Sequence, residues 1–168
     1  MADFPEPQDG RTDPAELFCV YLDYFRQTVV DRLTVLPVAS LRTSTLPSGW
    51  TPLELVSHLV HMERRWLVWG FLGEVVDDPW GDNGPDGRWE VDASQTLPAL
   101  AAQLRAVGDR TTRIIRQATL ADRARVGGRF TDAPPTLERI CFHVLQEYAR
   151  HVGHLDVVRE LTDGAVGE

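Results

Sequence analysis

The sequence contains no lysine: all 17 of its basic residues are arginine. Schiff-base chemistry, a phosphate-loop lysine and a lysine general base are therefore excluded. Positive charge is scarce as well, because 25 acidic residues outweigh the arginines and leave a net charge of -8. Polyanion binding draws on concentrated cations, so neither nucleic acid nor an anionic membrane is an expected partner. No run approaches the roughly 18 apolar residues that a membrane span requires. The opening stretch MADFPEPQDGRTD is acidic and contains proline, unlike a secretory or transit peptide, and a cytoplasmic protein is expected. Only two cysteines occur, Cys19 and Cys141, each inside an apolar periodic stretch. They read as buried, reduced thiols rather than a disulfide or a reactive pair. A Gly-x-Ser-x-Gly elbow is also missing, so the chain offers no obvious nucleophile of its own.

What is present is an ordinary globular composition, 43% hydrophobic over 168 residues, which fits one domain with a real core. Residues 1–12 lack periodicity and read as a flexible arm. Residues 13–164 read as a single helical domain, and 165–168 as a tail. Asp13-Pro14-Ala15-Glu16 starts a first helix, with an N-cap, a proline at the first position and a glutamate after it. Its apolar positions are read as Leu17, Val20, Tyr21, Tyr24 and Phe25, running to about Leu33 before Pro37. Thr51-Pro52-Leu53-Glu54 is a capping box for a second helix, whose stripe is Leu55, Leu59, Met62, Trp66 and Trp69. Residues 74–90 are dense in Asp, Gly and Pro and hold Trp80 and Trp89. They read chiefly as a solvated connection, with a functional or dimer-contacting loop as the alternative. Ser94 or Thr96 caps a third helix to about residue 118, and Thr136 caps a fourth that ends near Gly164. Four amphipathic helices without a convincing strand predict an all-α four-helix bundle.

All five histidines fall on the second and fourth helices: His58, His61, His143, His151 and His154. In the last helix Leu137, Cys141, Val144, Tyr148, His151, Leu155 and Val158 recur at three- and four-residue steps, which puts His151 on the inward seam. Glu147 lies one turn earlier on the same side. An unpaired carboxylate there would cost several kcal/mol, so it asks for an arginine, a histidine or a cation. Side chains at i and i+4 can share one ion, whereas His143 and His151 are roughly 12 Å apart along the axis. The second helix can add His58 or His61, and His58 borders the apolar stripe more closely. Two readings stand at this point. One is a divalent cation held by His58, Glu147 and His151, with a position open to water or substrate; zinc suits the set, and nickel, iron or manganese would accept it. The other is a core histidine paired with a core glutamate. His61, His143 and His154 read as surface or supporting residues.

Two segments carry a family resemblance. WTPLELVSHL, residues 50 to 59, resembles the start of the second helix in the DinB-like superfamily of metal-binding four-helix proteins, where the final histidine is a ligand. EYARHVGHLDVVRELTDG, residues 147 to 164, is similar to the closing motif of that superfamily, and Glu147 in place of a histidine is similar to mycothiol-dependent maleylpyruvate isomerase. The resemblance implies His58, Glu147 and His151 as ligands. It also implies thiol-dependent transfer or isomerisation, in which a low-molecular-weight thiol such as mycothiol ionises at the metal and attacks a small electrophile. Arg65, Arg150 and His154 are then candidates for orienting the second substrate. Trp66, Trp69 and Tyr148 are candidates for lining a pocket, although core packing is the plainer role for each. A non-catalytic metal-binding or metal-free homodimer and a metal-dependent hydrolase are the rival functions, and Trp80 or Trp89 would be a natural dimer contact.

Overall fold

A computed structural model describes residues 4–166 of the chain. Four helices dominate it: α1 (Pro14–Thr34), α2 (Pro52–Glu63), α3 (Leu97–Gln117) and α4 (Leu137–Asp163). No strand forms among the described residues, only isolated bridges. The chain is an all-α four-helix bundle. Helices α1 and α2 each pack chiefly against α3 and α4, so α1 lies diagonally across the bundle from α2.

The local start signals act as the sequence predicts. The Asp13 carboxylate accepts from the Ala15 N–H, and the Thr51 hydroxyl and Glu54 carboxylate exchange both hydrogen bonds of a capping box. Thr96, rather than Ser94, caps α3, and Thr136 caps α4, which ends at Gly164 in the left-handed conformation that favours glycine. Every residue of the seam read on α4 is buried, and both cysteines are free and buried.

Two apolar stripes differ from expectation. On α1 the buried line is Phe18, Cys19, Leu22, Arg26, Val29 and Leu33, while Tyr21, Tyr24 and Phe25 are only half-buried. The inward position is held by an arginine, which a hydrophobic pattern passes over. The outer tyrosines instead carry the N-terminal segment: Phe4 packs edge-on against Tyr21 and Tyr24, and the Tyr21 hydroxyl donates to the Pro5 carbonyl at 2.8 Å. Phe4 and Pro5, in the stretch expected to be a flexible arm, therefore lie against α1. Residues 1–3 of that arm and 167–168 of the expected tail are outside the described residues.

The second difference is on α2. Leu55, Leu59 and Met62 are buried as expected, but from Arg64 to Phe71 the helix widens into a π segment with i→i+5 hydrogen bonding. The inward face is re-phased there. Arg65, Leu67, Gly70 and Phe71 become the buried residues, and Trp66 and Trp69 are left half-exposed on the side facing the loop between α3 and α4. That loop uses the carbonyls at the end of the segment: Arg129 N–H donates to Trp69 and Arg125 N–H to Phe71.

Beneath the region where the histidines gather, a closed polar cluster ties three helices together. Glu63 on α2 accepts from the Arg26 guanidinium of α1, with Nε at 3.1 Å, and from the Tyr148 hydroxyl of α4 at 2.6 Å. Gly108 of α3 makes room for it, since a Cβ there would lie 2.7 Å from Arg26 Cδ. Tyr148 thus belongs to the core rather than to a pocket.

Candidate metal centre

The capping box at Thr51 fixes the phase of α2, so His58, seven residues on, faces α4 beside the buried Leu55 and Leu59. Helix α4 supplies Glu147 and His151 one turn apart on one face. One ligand atom from each of His58, Glu147 and His151 falls within 4.8 Å of the other two. The sequence pattern left a cation site and a paired core histidine open, and the side chains do converge as a cation site requires.

The surroundings orient these groups. Asp82, fully buried in the 74–90 loop, lies 2.9 Å through Oδ2 from His58 Nδ1. This leaves the Nε2 of His58 for a ligand, the arrangement in which a carboxylate fixes the tautomer of a metal-bound histidine. Asp82 is held in turn by Arg65, whose Nη2 donates at 3.0 Å. Burial by itself would raise the Asp82 pKa, but the hydrogen bonds from His58 and Arg65 and the guanidinium charge outweigh it and bring it to about 2. The Asp82 carbonyl accepts from Glu90 N–H at 2.8 Å, which brings Trp89 round to stack on His58 with centroids 4.2 Å apart.

Glu147 spans two histidines, with Oε2 at 3.1 Å from His151 Nε2 and Oε1 at 3.3 Å from His143 Nε2. Burial pushes His151 down to about 4, and the neighbouring His58 adds to this against the pull of Glu147. His151 is therefore a neutral imidazole at neutral pH, the form that can ligate. Its Nδ1 is buried with no hydrogen-bond partner. Two imidazoles, one carboxylate, a carboxylate behind one imidazole and an uncompensated ring nitrogen together fit a divalent cation better than a finished core pair. A cleft of about 510 Å³ opens beside Trp89, between Trp50, Glu54, Asp86 and Glu90.

The family model described as Mycothiol-S-transferase matches residues 18–164. The chain belongs to the mycothiol S-transferase family. It is a DinB-like family, in keeping with the resemblance carried by residues 50 to 59 and 147 to 164. No curated protein and no solved structure matches the chain.

Within this family member the remaining expected residues separate clearly. Arg65 reaches the site only through Asp82, with its guanidinium also over the Trp80 ring at 4.4 Å. Arg150 is exposed and does not join the converging groups. The ring of His154 lies 5.5 Å from that of His151 and 6.1 Å from that of Trp50, so it borders the centre. His61 is not among the converging groups, its Nδ1 lying 2.9 Å from the Ser57 carbonyl oxygen, while His143 abuts Trp66. Asp82 was not singled out by the sequence reading, and Trp89 was considered there only as part of a functional or dimer-contacting loop. They sit in a stretch that reads as a solvated connection and is largely exposed, yet it turns these two side chains inward. Trp89 stacks on His58, while Trp80 meets Arg65 and Arg129 within the chain and keeps 46% of its surface exposed. A tryptophan pair inside a 17-residue loop was the one available sign that 74–90 was more than a linker.

Proposed function

We propose that the protein is a metal-dependent S-transferase in which His58, Glu147 and His151 hold a divalent cation, with zinc the best match to the donor set. The observation that carries this reading is the convergence of the three ligand atoms within 4.8 Å of one another, with Asp82 backing His58. Membership of the mycothiol S-transferase family supports a low-molecular-weight thiol as cosubstrate and a small electrophile as acceptor. The cation, when bound, favours thiolate over thiol. The chain has no substitute for that service: burial raises the pKa of Cys19 and takes that of Cys141 to about 12, so neither ionises at neutral pH.

The protein's own groups then have distinct tasks. Asp82 keeps His58 in one tautomer and Arg65 keeps Asp82 in place. Trp89 covers the outer face of His58 and shields it from water. The cleft between Trp50 and Trp89 is the berth for the body of the thiol, because it opens where His58 is covered.

Purified protein is expected to contain one equivalent of metal, and His151→Ala to lose it while keeping its helical circular-dichroism spectrum. Thiol-dependent consumption of a model electrophile should disappear in the same variant. Stoichiometric metal retained by His151→Ala would remove the proposed ligand set, and thiol-independent turnover by the native protein would favour a hydrolase.

A further inference from the structure

Arg129, in the loop before α4, is a half-buried cation with no carboxylate partner among the described residues. Its guanidinium lies 4.2 Å from the Trp66 ring centroid, 5.9 Å from Trp69 and 5.5 Å from Trp80. Cation–π contact leaves the in-plane N–H donors of a guanidinium unused. Burial and the nearby Arg65 charge both work against its positive charge and lower its pKa. Arg65 is neutralised by Asp82, whereas Arg129 has no counter-ion among the described residues.

The position is built rather than loose. Arg129 N–H is pinned to the Trp69 carbonyl at 3.2 Å, and Gly127 N–H to the Phe130 carbonyl at 2.9 Å. A Cβ on Gly128 would overlap the Trp69 carbonyl oxygen and lie 2.8 Å from Gly73 Cα, so the loop fits against the π segment only with glycine there. From this seat Arg129 connects to the metal centre along two routes. Trp66 packs against His143 with centroids 4.2 Å apart and rings tilted by 52°, and His143 contacts Glu147; Trp80 lies under Arg65, which holds Asp82 and through it His58. The Arg129 charge is close enough to help burial lower the His143 pKa. The cleft at Trp89 is lined by three carboxylates, Glu54, Asp86 and Glu90, against one guanidinium, Arg88.

We infer that Arg129, framed by Trp66, Trp69 and Trp80, is a carboxylate-binding subsite that selects small electrophiles bearing an anionic group and aligns them with the metal centre. The link to an electrophile rests on the S-transferase reading; the binding of a carboxylate does not. A planar guanidinium with free donors is matched to a carboxylate, and three indoles supply an apolar frame for the flat body attached to it.

Calorimetric titration with 4-methylbenzoate and 4-methylbenzamide, on zinc-loaded and on metal-free protein, tests the binding. The benzoate is expected to bind at least about tenfold more tightly than the amide in both forms. Arg129→Gln should bring the two within about twofold, as should Arg129→Met, which keeps an apolar stem over Trp66. Equal binding by native protein, or a preference that survives both variants, overturns the proposal. So does a preference confined to the zinc-loaded form, which would put the carboxylate on the cation. With 2-mercaptoethanol as thiol, 4-(bromomethyl)benzoate should exceed 4-(bromomethyl)benzamide in kcat/KM by a similar factor, the sulfur forming its bond to carbon as bromide leaves. A preference that instead follows the thiol, mercaptoacetate over 2-mercaptoethanol, overturns the assignment to the electrophile. Absence of turnover with every pair counts against the transferase reading, and the titrations still decide Arg129.

Discussion

Glu147 and Tyr148 are neighbours on α4, yet they enter two polar clusters of opposite character. Tyr148 joins Arg26 and Glu63 in a group where each charge has a partner and the carboxylate accepts from both sides. Glu147 joins His58 and His151 in a group that leaves a ring nitrogen bare and three ligand atoms facing one another. The first cluster is closed and holds α1, α2 and α4 in register; the second leaves hydrogen-bonding capacity unused. Burial of polar groups therefore does not distinguish a structural site from a binding one. The distinction lies in whether the hydrogen-bonding inventory is already complete.

Breaking the closed cluster should have the largest effect. Glu63→Gln leaves the buried Arg26 guanidinium with only the exposed Asp23 carboxylate, 3.5 Å away, and is expected to cost roughly 3–5 kcal/mol. For a chain of this size that is a fall in Tm on the order of 10 °C, measurable by circular dichroism, and metal content per folded molecule should be unchanged. If Glu63→Gln removed metal without loss of stability, the two clusters would have to be assigned the other way round.

Asp82→Asn sharpens the comparison from the open side. Metal affinity, measured by competition with a chelator, should weaken about 10–100-fold because His58 loses the carboxylate that orients it. The same residue sets an acid limb of stability. Its folded pKa, about 2, lies below the ordinary value of 3.8, so its contribution is full above pH 3.8 and is lost as pH falls towards 2. In metal-free protein that contribution is about 2 kcal/mol. Denaturant titrations at pH 5 and pH 2.5 should show the limb in native protein and a flatter one in Asp82→Asn. The smallest expected effect is on the cysteines: a thiol reagent at pH 8 should leave Cys19 and Cys141 unlabelled in folded protein and label both on unfolding. Rapid labelling of Cys141 in the folded state would supply the chain with a nucleophile and weaken the case for a borrowed one.

How much of this was legible in the sequence follows from the range of each interaction. The caps at Asp13, Thr51 and Thr136 and the i,i+4 pair Glu147–His151 are local, and the pattern exposes them directly. His58 was reachable because it sits beside a strong stripe. Arg26–Glu63, Glu63–Tyr148 and His58–Asp82 join residues 37, 85 and 24 positions apart, and such pairs leave no periodic mark. Arg26 even inverts the hydrophobic rule, which is why the inward face of α1 was read on its tyrosines. Trp66 and Trp69 were placed on the core stripe by carrying one helical period through a segment that abandons it.

That segment has a consequence for how the chain tolerates changes in length. A helix of constant pitch could not turn Met62 and Glu63 into the core and also turn Leu67 and Phe71 into it while leaving Trp66 for Arg129. The surplus residue between 64 and 71 works as a phase converter, so the segment has a fixed residue count, and losing one residue there would rotate everything that follows. The exposed turns of the 74–90 loop carry no such constraint, and insertions among related chains belong there rather than in the helix they follow.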